Sequence, residues 1–370
     1  DGNPLTAGTR LCTPQYAETL RTIASQGPSA MYGGTIGRAV VDHMKQVGGL
    51  LKMDDFTSYA TIERDVVRGN YRGIEIVGPP PPSSGGVHVI QMLNLLEGFD
   101  IADLGFGSPC ALHLMLEVLK IAFADRQVVT ADPDFVDVPT DRLLSKAYAA
   151  ERRHDIDLVH AKKWSAGVAL PESPTTTHVT VADGDGNIVA ATQTINSTFG
   201  ARIMIPGTGI IPNNYMFVFD PHPGNALSIA PGKRVTTSMS PIMALQDGNP
   251  ILALGLPGGL RIFGSAMQAL INKIDHGMNV QAMVEAPRIW TQGHGVEIED
   301  GYPSDTEEHL AKKGHLMTRV PHVGGGMNAI EFSEDGTMIG ASCWRADGTP
   351  VGISGGYARE GSRFWPDQVG

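Results

Sequence analysis

Three hydroxyls meet at one junction of this chain. PESPTTTHVTVADGDGN, Pro171 to Asn187, passes from a loose Pro- and Ser-bearing stretch into strict alternation and a tight turn. A threonine hydroxyl is a weak nucleophile at neutral pH and needs a base. A free α-amine, with a pKa near 8, can be that base. Scission within the run would therefore give one threonine both roles. Spacing does not choose among Thr175, Thr176 and Thr177. The bland reading of the same residues is a strand start, since β-branched side chains favour strands.

Other chemistry-bearing patterns fail on inspection. GISGG, Gly352 to Gly356, matches a nucleophile elbow, but no histidine follows it to complete a triad. DGDGNI, from Asp183, resembles the start of a calcium loop. Its sixth position is Ile188 rather than Gly and its twelfth is Thr194 rather than Glu, so a hairpin turn explains it better. The 12 histidines form no H-E-x-x-H pair. Asn196-Ser197-Thr198 fits the short glycosylation pattern.

The elements that must position such chemistry change character along the chain. TPQYAETLRTIASQG predicts a helix with Thr13 as N-cap, Pro14 at the first position and Gly27 at the end. GTIGRAVVDHMKQVGG repeats that grammar, and CALHLMLEVLKIAFADR carries a wide apolar face. YRGIEIV reads as a strand running into Pro79 to Pro82, a stiff and exposed polyproline turn before the next helix. Residues 155 to 174 lose periodicity, and AKKWSAGVALPESP, Ala161 to Pro174, reads as an exposed, cleavable linker. From Thr176 onward hairpins predominate: THVTVAD with IVAATQTI, PIMALQDGNPILALGLP, and MNAIEFSEDGTMIGASC. A helix over Leu260 to Ile274 separates the later two. Hairpins with flanking helices predict an α+β layered fold with antiparallel sheets.

Composition narrows the classes. The chain has 370 residues, 42% hydrophobic and 18% charged, an ordinary globular balance. A net charge of -11 argues against nucleic acid as a partner. No apolar run is long enough to span a membrane as a helix. Cys12, Cys110 and Cys343 are too few and too widely spaced for a disulfide framework or a zinc ribbon. The compartment, cytoplasmic or periplasmic, stays open.

Taken in order, TTHVTV, INSTFG, GIIPNNYM, PGKRVTTSMSP and LGLPGGLRI resemble the small subunit of the γ-glutamyltransferases and the related cephalosporin acylases. Upstream, PPPPSSGGVH, AFADR and DPDFVDVP resemble the second half of their large subunit. The resemblance covers nearly the whole chain. It implies a four-layer αββα N-terminal nucleophile hydrolase, two antiparallel sheets between helix layers. It also implies a precursor that cuts itself between Thr175 and Thr176, giving 1–175 as the end of a large subunit and 176–370 as the small subunit. The first half of the large subunit would precede Asp1.

Roles follow by position. Thr176 would be nucleophile and, through its α-amine, base. Thr194 would hydrogen-bond its hydroxyl, and Asn196 would hold the amine or the substrate. Gly258 and Gly259 would present backbone N–H groups to the oxyanion. Thr237 and Ser238 would contact a substrate carboxylate, with Arg261 and Asn213 in support. No redox or metal cofactor is implied. The partners implied are a small amide substrate, an acceptor water or amine, and the second subunit cut from the same precursor.

One segment departs from the pattern. The transferases carry NNQMDDF, whose Gln and second Asp hold the α-ammonium of a γ-glutamyl group. Here it is NNYMFVF, with Tyr215 and Val218 at those places. Loss of a buried charge partner costs about 3–5 kcal/mol. The pocket therefore suits an acyl group without that ammonium, such as glutaryl, unless Asp220 supplies the acid from a shifted loop. The readings within the class are a γ-glutamyltransferase-like amidohydrolase acting on γ-glutamyl or glutaryl amides, a cephalosporin acylase, and a small-amide hydrolase of the oxamate type. From another class comes an uncleaved, inactive binding protein.

Overall fold

The computed structural model describes residues 4–164, 176–293, 295–303 and 305–353. They form two compact units, one of residues 1–63 with 197–214, the other of 64–196 with 215–370. In the smaller unit, α1 (Pro14–Gln26), α2 (Thr35–Gln46) and α3 (Met53–Thr57) enclose a small core of Val40, Met44 and Ile205. Proline begins α1 and Gly27 ends it at φ 69°, as the sequence predicts. Thr19 Oγ1 donates to Thr208 O at 2.8 Å, which ties residues 197–214 to α1 within this unit.

The larger unit begins with the hairpin β1 (Val67–Tyr71) and β2 (Ile74–Gly78). Helices α4 (Gly85–Leu96), α5 (Ile101–Leu104), α6 (Pro109–Val129), α7 (Thr140–Leu144) and α8 (Lys146–Arg153) follow. Next come the hairpins β3 (Thr177–Ala182) with β4 (Ile188–Gln193), and β5 (Ile242–Gln246) with β6 (Asn249–Gly255). The chain continues through α9 (Ile262–Ile274), α10 (Val280–Glu285), β7 (Ile289–Thr291), β8 (Gly295–Glu299), α11 (Thr306–Lys312) and β9 (Leu316–Val320). It closes on the hairpin β10 (Asn328–Phe332) and β11 (Met338–Ser342).

The main sheet has the order β1-β2-β5-β6-β10-β11, antiparallel throughout. Helix α4 is buried on every side, as an all-round apolar helix must be. It packs on β1, β2, α6 and α9. On the opposite face lies β3-β4, a second antiparallel sheet packed against β6 and β10. The pleat decides which residues face which layer. Leu254 and its partner Ala329 join the helix-side core, whereas Gly255 and its partner Asn328 face the hairpin. Helices, main sheet and second sheet thus stack in the expected α+β order. A third sheet, β7-β8-β9, includes a parallel pair, β8 with β9.

Two expectations need correction. The run Pro79 to Pro82 is not an exposed turn, since Pro81 is buried and its neighbours are half-buried. It folds back so tightly that a Cβ at Gly85 would lie 2.0 Å from Met239 O, and one at Gly86 2.4 Å from Pro79 O. Two glycines let that turn pack inward. The expected linker is also not loose over its first four residues. Ala161 N donates to Lys313 O at 2.6 Å, and Lys162 N and Trp164 Nε1 donate to the buried Glu117. Residues 165–175, including Thr175, lie outside the described residues, as does most of GISGG.

Candidate active site at one end of the main sheet

Antiparallel order brings alternate strand ends together. Val77 near the end of β2 pairs with Met243, Ile242 at the start of β5 pairs with Leu254, and Gly255 at the end of β6 pairs with Asn328. Four connections therefore gather at this end: Pro79–Ser84, Thr236–Ser240, Pro257–Gly259 and Gly324–Met327. The second sheet brings Thr176 to the same end, because His178 of β3 lies against Gly255. A Cβ there would sit 2.1 Å from the His178 ring.

The start of β3 is held on both sides. His178 is buried, with Nδ1 2.7 Å from Thr192 Oγ1 and Nε2 2.9 Å from Thr180 Oγ1. Burial lowers its pKa to about 4, so the ring is neutral. Asn328 Nδ2 donates to His178 O at 2.8 Å, and Ser342 Oγ donates to Asn328 Oδ1 at 2.8 Å. Thr177 pairs with Gln193, so one step beyond the ladder sets Thr176 opposite Thr194. Thr194 Oγ1 accepts from Asn196 N at 2.8 Å, and Asn196 is buried at φ 72°. Asparagine tolerates that left-handed conformation better than most residues.

Gly258 and Gly259 are buried with φ of 142° and 58°. They open a helical run, a 3-10 turn Gly259–Arg261 leading into α9. The first N–H groups of such a run have no acceptor within the helix, which suits an anion. The turn is braced from two sides. A Cβ at Gly258 would lie 2.8 Å from Gly324 Cα, and Gly325 N donates to Pro257 O at 2.9 Å. The buried Arg288 donates through Nη1 to Val323 O and Gly325 O, which holds that neighbouring loop. Arg261 forms a two-pronged pair with Glu297 and lies 4.2 Å over the Trp290 ring. Arg261 is therefore a support of the turn, and Glu297 and Trp290 are partners that the sequence alone did not suggest.

Thr237 and Ser238 pair with the proline-rich turn rather than forming a bare strand edge. Ser84 N and Oγ both donate to Thr237 O at 2.8 Å, and Thr237 Oγ1 donates to Ser83 Oγ at 3.1 Å. Arg126 donates to Ser84 Oγ and Ser238 Oγ from the last turn of α6. Tyr215 and Val218 bound a short 3-10 turn in which Val218 is buried. Asp220 is committed to its own turn. Its carboxylate accepts from His222 N at 2.8 Å, His222 Nδ1 at 2.9 Å and Asn225 Nδ2 at 2.8 Å, and these bonds hold its pKa below the usual range. Asn213 belongs to the smaller unit.

The DGDGN turn is likewise a hairpin device. Asp183 Oδ1 accepts from Asp185 N and Asn187 N, and Oδ2 from Asn187 Nδ2. Among the described residues one grouping has metal-ligand types, the buried His113, Glu117 and His315. Its hydrogen bonds fit a closed chain better than a metal. His113 Nε2 donates to Asp157 O, His315 Nε2 then donates to His113 Nδ1, and Lys120 Nζ reaches His315 Nδ1 at 3.5 Å and Glu117 Oε1 at 2.7 Å. The Lys120 ammonium thus meets two of the three groups.

The fold is that of the N-terminal nucleophile hydrolases. The family model for gamma-glutamyltranspeptidase matches residues 1–353, and the chain belongs to that family. It is 60% identical over 363 residues to an acylase ACY 1 proenzyme of Pseudomonas sp. strain SE83, covering 98% of this chain and 65% of that protein. It is 40% identical to the glutathione hydrolase proenzyme of Escherichia coli strain K12, covering 92% of this chain and 62% of that one. The crystal structure of cephalosporin acylase from Bacillus halodurans superposes with a TM-score of 0.86 at 29% identity, over 93% of this chain and 63% of that one. The chain thus spans somewhat under two thirds of the length of these relatives.

Proposed function

We propose that the full protein is a self-processed amidohydrolase and acyltransferase that works through Thr176, with glutaryl-type acyl groups preferred over γ-glutamyl. Scission between Thr175 and Thr176 divides it into subunits ending at 175 and starting at 176. The observation that carries the reading is the convergence at one sheet end of Thr176, Thr194, the Gly258-Gly259 turn and the Thr237-Ser238 segment.

The chemistry is a two-step displacement. The α-amine of Thr176 takes the Oγ1 proton as the oxygen attacks the amide carbonyl. The carbonyl becomes an oxyanion that accepts from the N–H groups of Gly258 and Gly259, a contribution worth about 100- to 1000-fold per donor. Thr194 orients the nucleophile, and Asn196 holds the amine or the substrate. Collapse breaks the C–N bond, the leaving amine takes the proton, and an acyl ester remains on Thr176. Water or an amine then attacks that ester, and Thr176 Oγ1 regains its proton.

Preference for the acyl group rests on Val218 and Tyr215. A buried valine offers no counter-charge to an α-ammonium, and desolvating an unpaired cation is costly. The commitment of Asp220 to His222 and Asn225 supports the same view. The higher identity to an acylase than to a glutathione hydrolase agrees with it.

The test combines intact-mass analysis with hydrolysis of glutaryl- and γ-glutamyl-p-nitroanilide. Wild type should appear as two polypeptides and favour the glutaryl substrate by about 100-fold or more, the effect of about 3 kcal/mol. Thr176→Ala should remain one inactive chain, and Val218→Asp should move kcat/KM toward γ-glutamyl. A wild type that stays uncut and hydrolyses neither anilide would point instead to a binding protein.

A further inference from the structure

We infer that Arg126 is a positioning residue for the acyl carboxylate: its buried guanidinium forks onto the Ser84 and Ser238 hydroxyls and backs that pocket with a positive charge. The inference rests on the reading that Thr237 and Ser238 face the carboxylate of a glutaryl-type substrate.

Arg126 stands in the last turn of α6, with its side chain buried. Its Nε donates to Ser84 Oγ at 3.0 Å and its Nη2 to Ser238 Oγ at 3.3 Å. Those oxygens come from two segments far apart in sequence, the turn after β2 and the approach to β5. The segments are already laced by Ser84 N and Oγ on Thr237 O, Thr237 N on Pro82 O, and Ser83 Oγ on Met239 O. Arg126 is the side chain that grips both.

The directions of these bonds matter. Arginine only donates, so both serine oxygens act as acceptors toward it. Ser84 spends its own proton on Thr237 O. Ser238 accepts from a cation, so its proton is directed elsewhere and is made a stronger donor by the charge on its oxygen. A carboxylate bound by that proton lies within one hydroxyl of the guanidinium. Coulomb attraction at that range, in a partly buried site, is substantial. The planar fork spans two oxygens at fixed separation, and lysine, a point charge, cannot reproduce it.

An interaction with the acyl carboxylate is present in both ground and transition states, so its loss should appear in KM and not in kcat. The assay uses the full-length processed protein with glutaryl-p-nitroanilide and with a neutral acyl anilide of similar length, such as butyryl-p-nitroanilide. Arg126→Met should raise KM for the glutaryl substrate by about 10-fold or more, with kcat within threefold and the neutral substrate little affected. Arg126→Lys should fall between Met and wild type. Salt should raise the glutaryl KM less in Arg126→Met than in wild type, because the charge it screens is gone.

Equal losses on both substrates, or a fall in kcat alone, would overturn the inference and leave Arg126 a purely structural side chain. Where Arg126→Met fails to fold, Arg126→Lys decides: a glutaryl KM within twofold of wild type counts against the fork. Ser238→Ala separates this inference from the underlying reading. If it leaves the glutaryl KM unchanged, the carboxylate assignment itself is wrong. If it raises that KM while Arg126→Met does not, only the role of Arg126 fails.

Discussion

Gly255→Ala tests how the two sheets hold Thr176, the proposed nucleophile, since this glycine lies beneath the start of β3. Its backbone is ordinary strand, so the substitution adds only a methyl group. That carbon would sit 2.1 Å from His178 Cε1 and 2.4 Å from Nδ1, where ordinary contact begins near 3.4 Å. The ring must therefore move by over an ångström. It is fixed at 2.7 Å to Thr192 and 2.9 Å to Thr180, so a shift of that size breaks at least one of these bonds. Overpacking costs about 1–3 kcal/mol, and a buried polar group left without its partner costs about 1–3 kcal/mol more. We expect a loss of about 4 kcal/mol, and a fall in processing and turnover because Thr176 is two residues from the displaced ring. Thermal unfolding and intact mass are the readouts. Adding His178→Ser should relieve the clash, giving a coupling energy of at least about 1 kcal/mol between the two sites. Single-site Tm values within a degree of wild type, or strictly additive effects, would refute this account of the interface.

Two further outcomes follow from the same contacts. Arg261→Ala removes the Glu297 pair and the stack on Trp290 that brace the Gly258-Gly259 turn. It should lower kcat about 10-fold with little change in KM, since the proposed oxyanion donors would act in the transition state; a KM effect alone would contradict the bracing role. Burial lowers the pKa of His88 and His178 to about 4 and that of His315, which also faces Lys120, to about 3. In the unfolded chain these rings titrate near 6.5. Below that pH the unfolded state takes up more protons, so stability should fall from about pH 6.5 down to about pH 4, at up to roughly 1.4 kcal/mol per pH unit for each ring. Urea unfolding at pH 7 and pH 5 measures the slope, and His178→Gln should reduce it. A flat profile over that window would show that the rings are not held neutral.

Much of this protein is written in local pattern. The apolar stripes of α1, α2, α6 and α9, the Pro14 start and Gly27 end of α1, and the turn residues of the three later hairpins are set by near neighbours, and the structure repeats them with small shifts of boundary, although Thr13 makes no side-chain bond to cap α1. The order of short motifs also carried the family, because several motifs in order are far more specific than any one of them. What only the tertiary structure decided depends on contacts between distant segments. β1 contains Gly69, which weakens its strand signal, yet the glycine is there because Ile90 of α4 leaves no room for a Cβ. The parallel pair β8-β9 joins strands across α11 and has no local signature. Pro79 to Pro82 reads as an exposed turn until Thr237 and Met239 close over it. The supports of the site, Arg126, Glu297, Trp290 and Asn328, each lie on a different element from the residue they hold. Burial and hydrogen bonding select them by position in space, and the spacing of residues along a chain does not record that position.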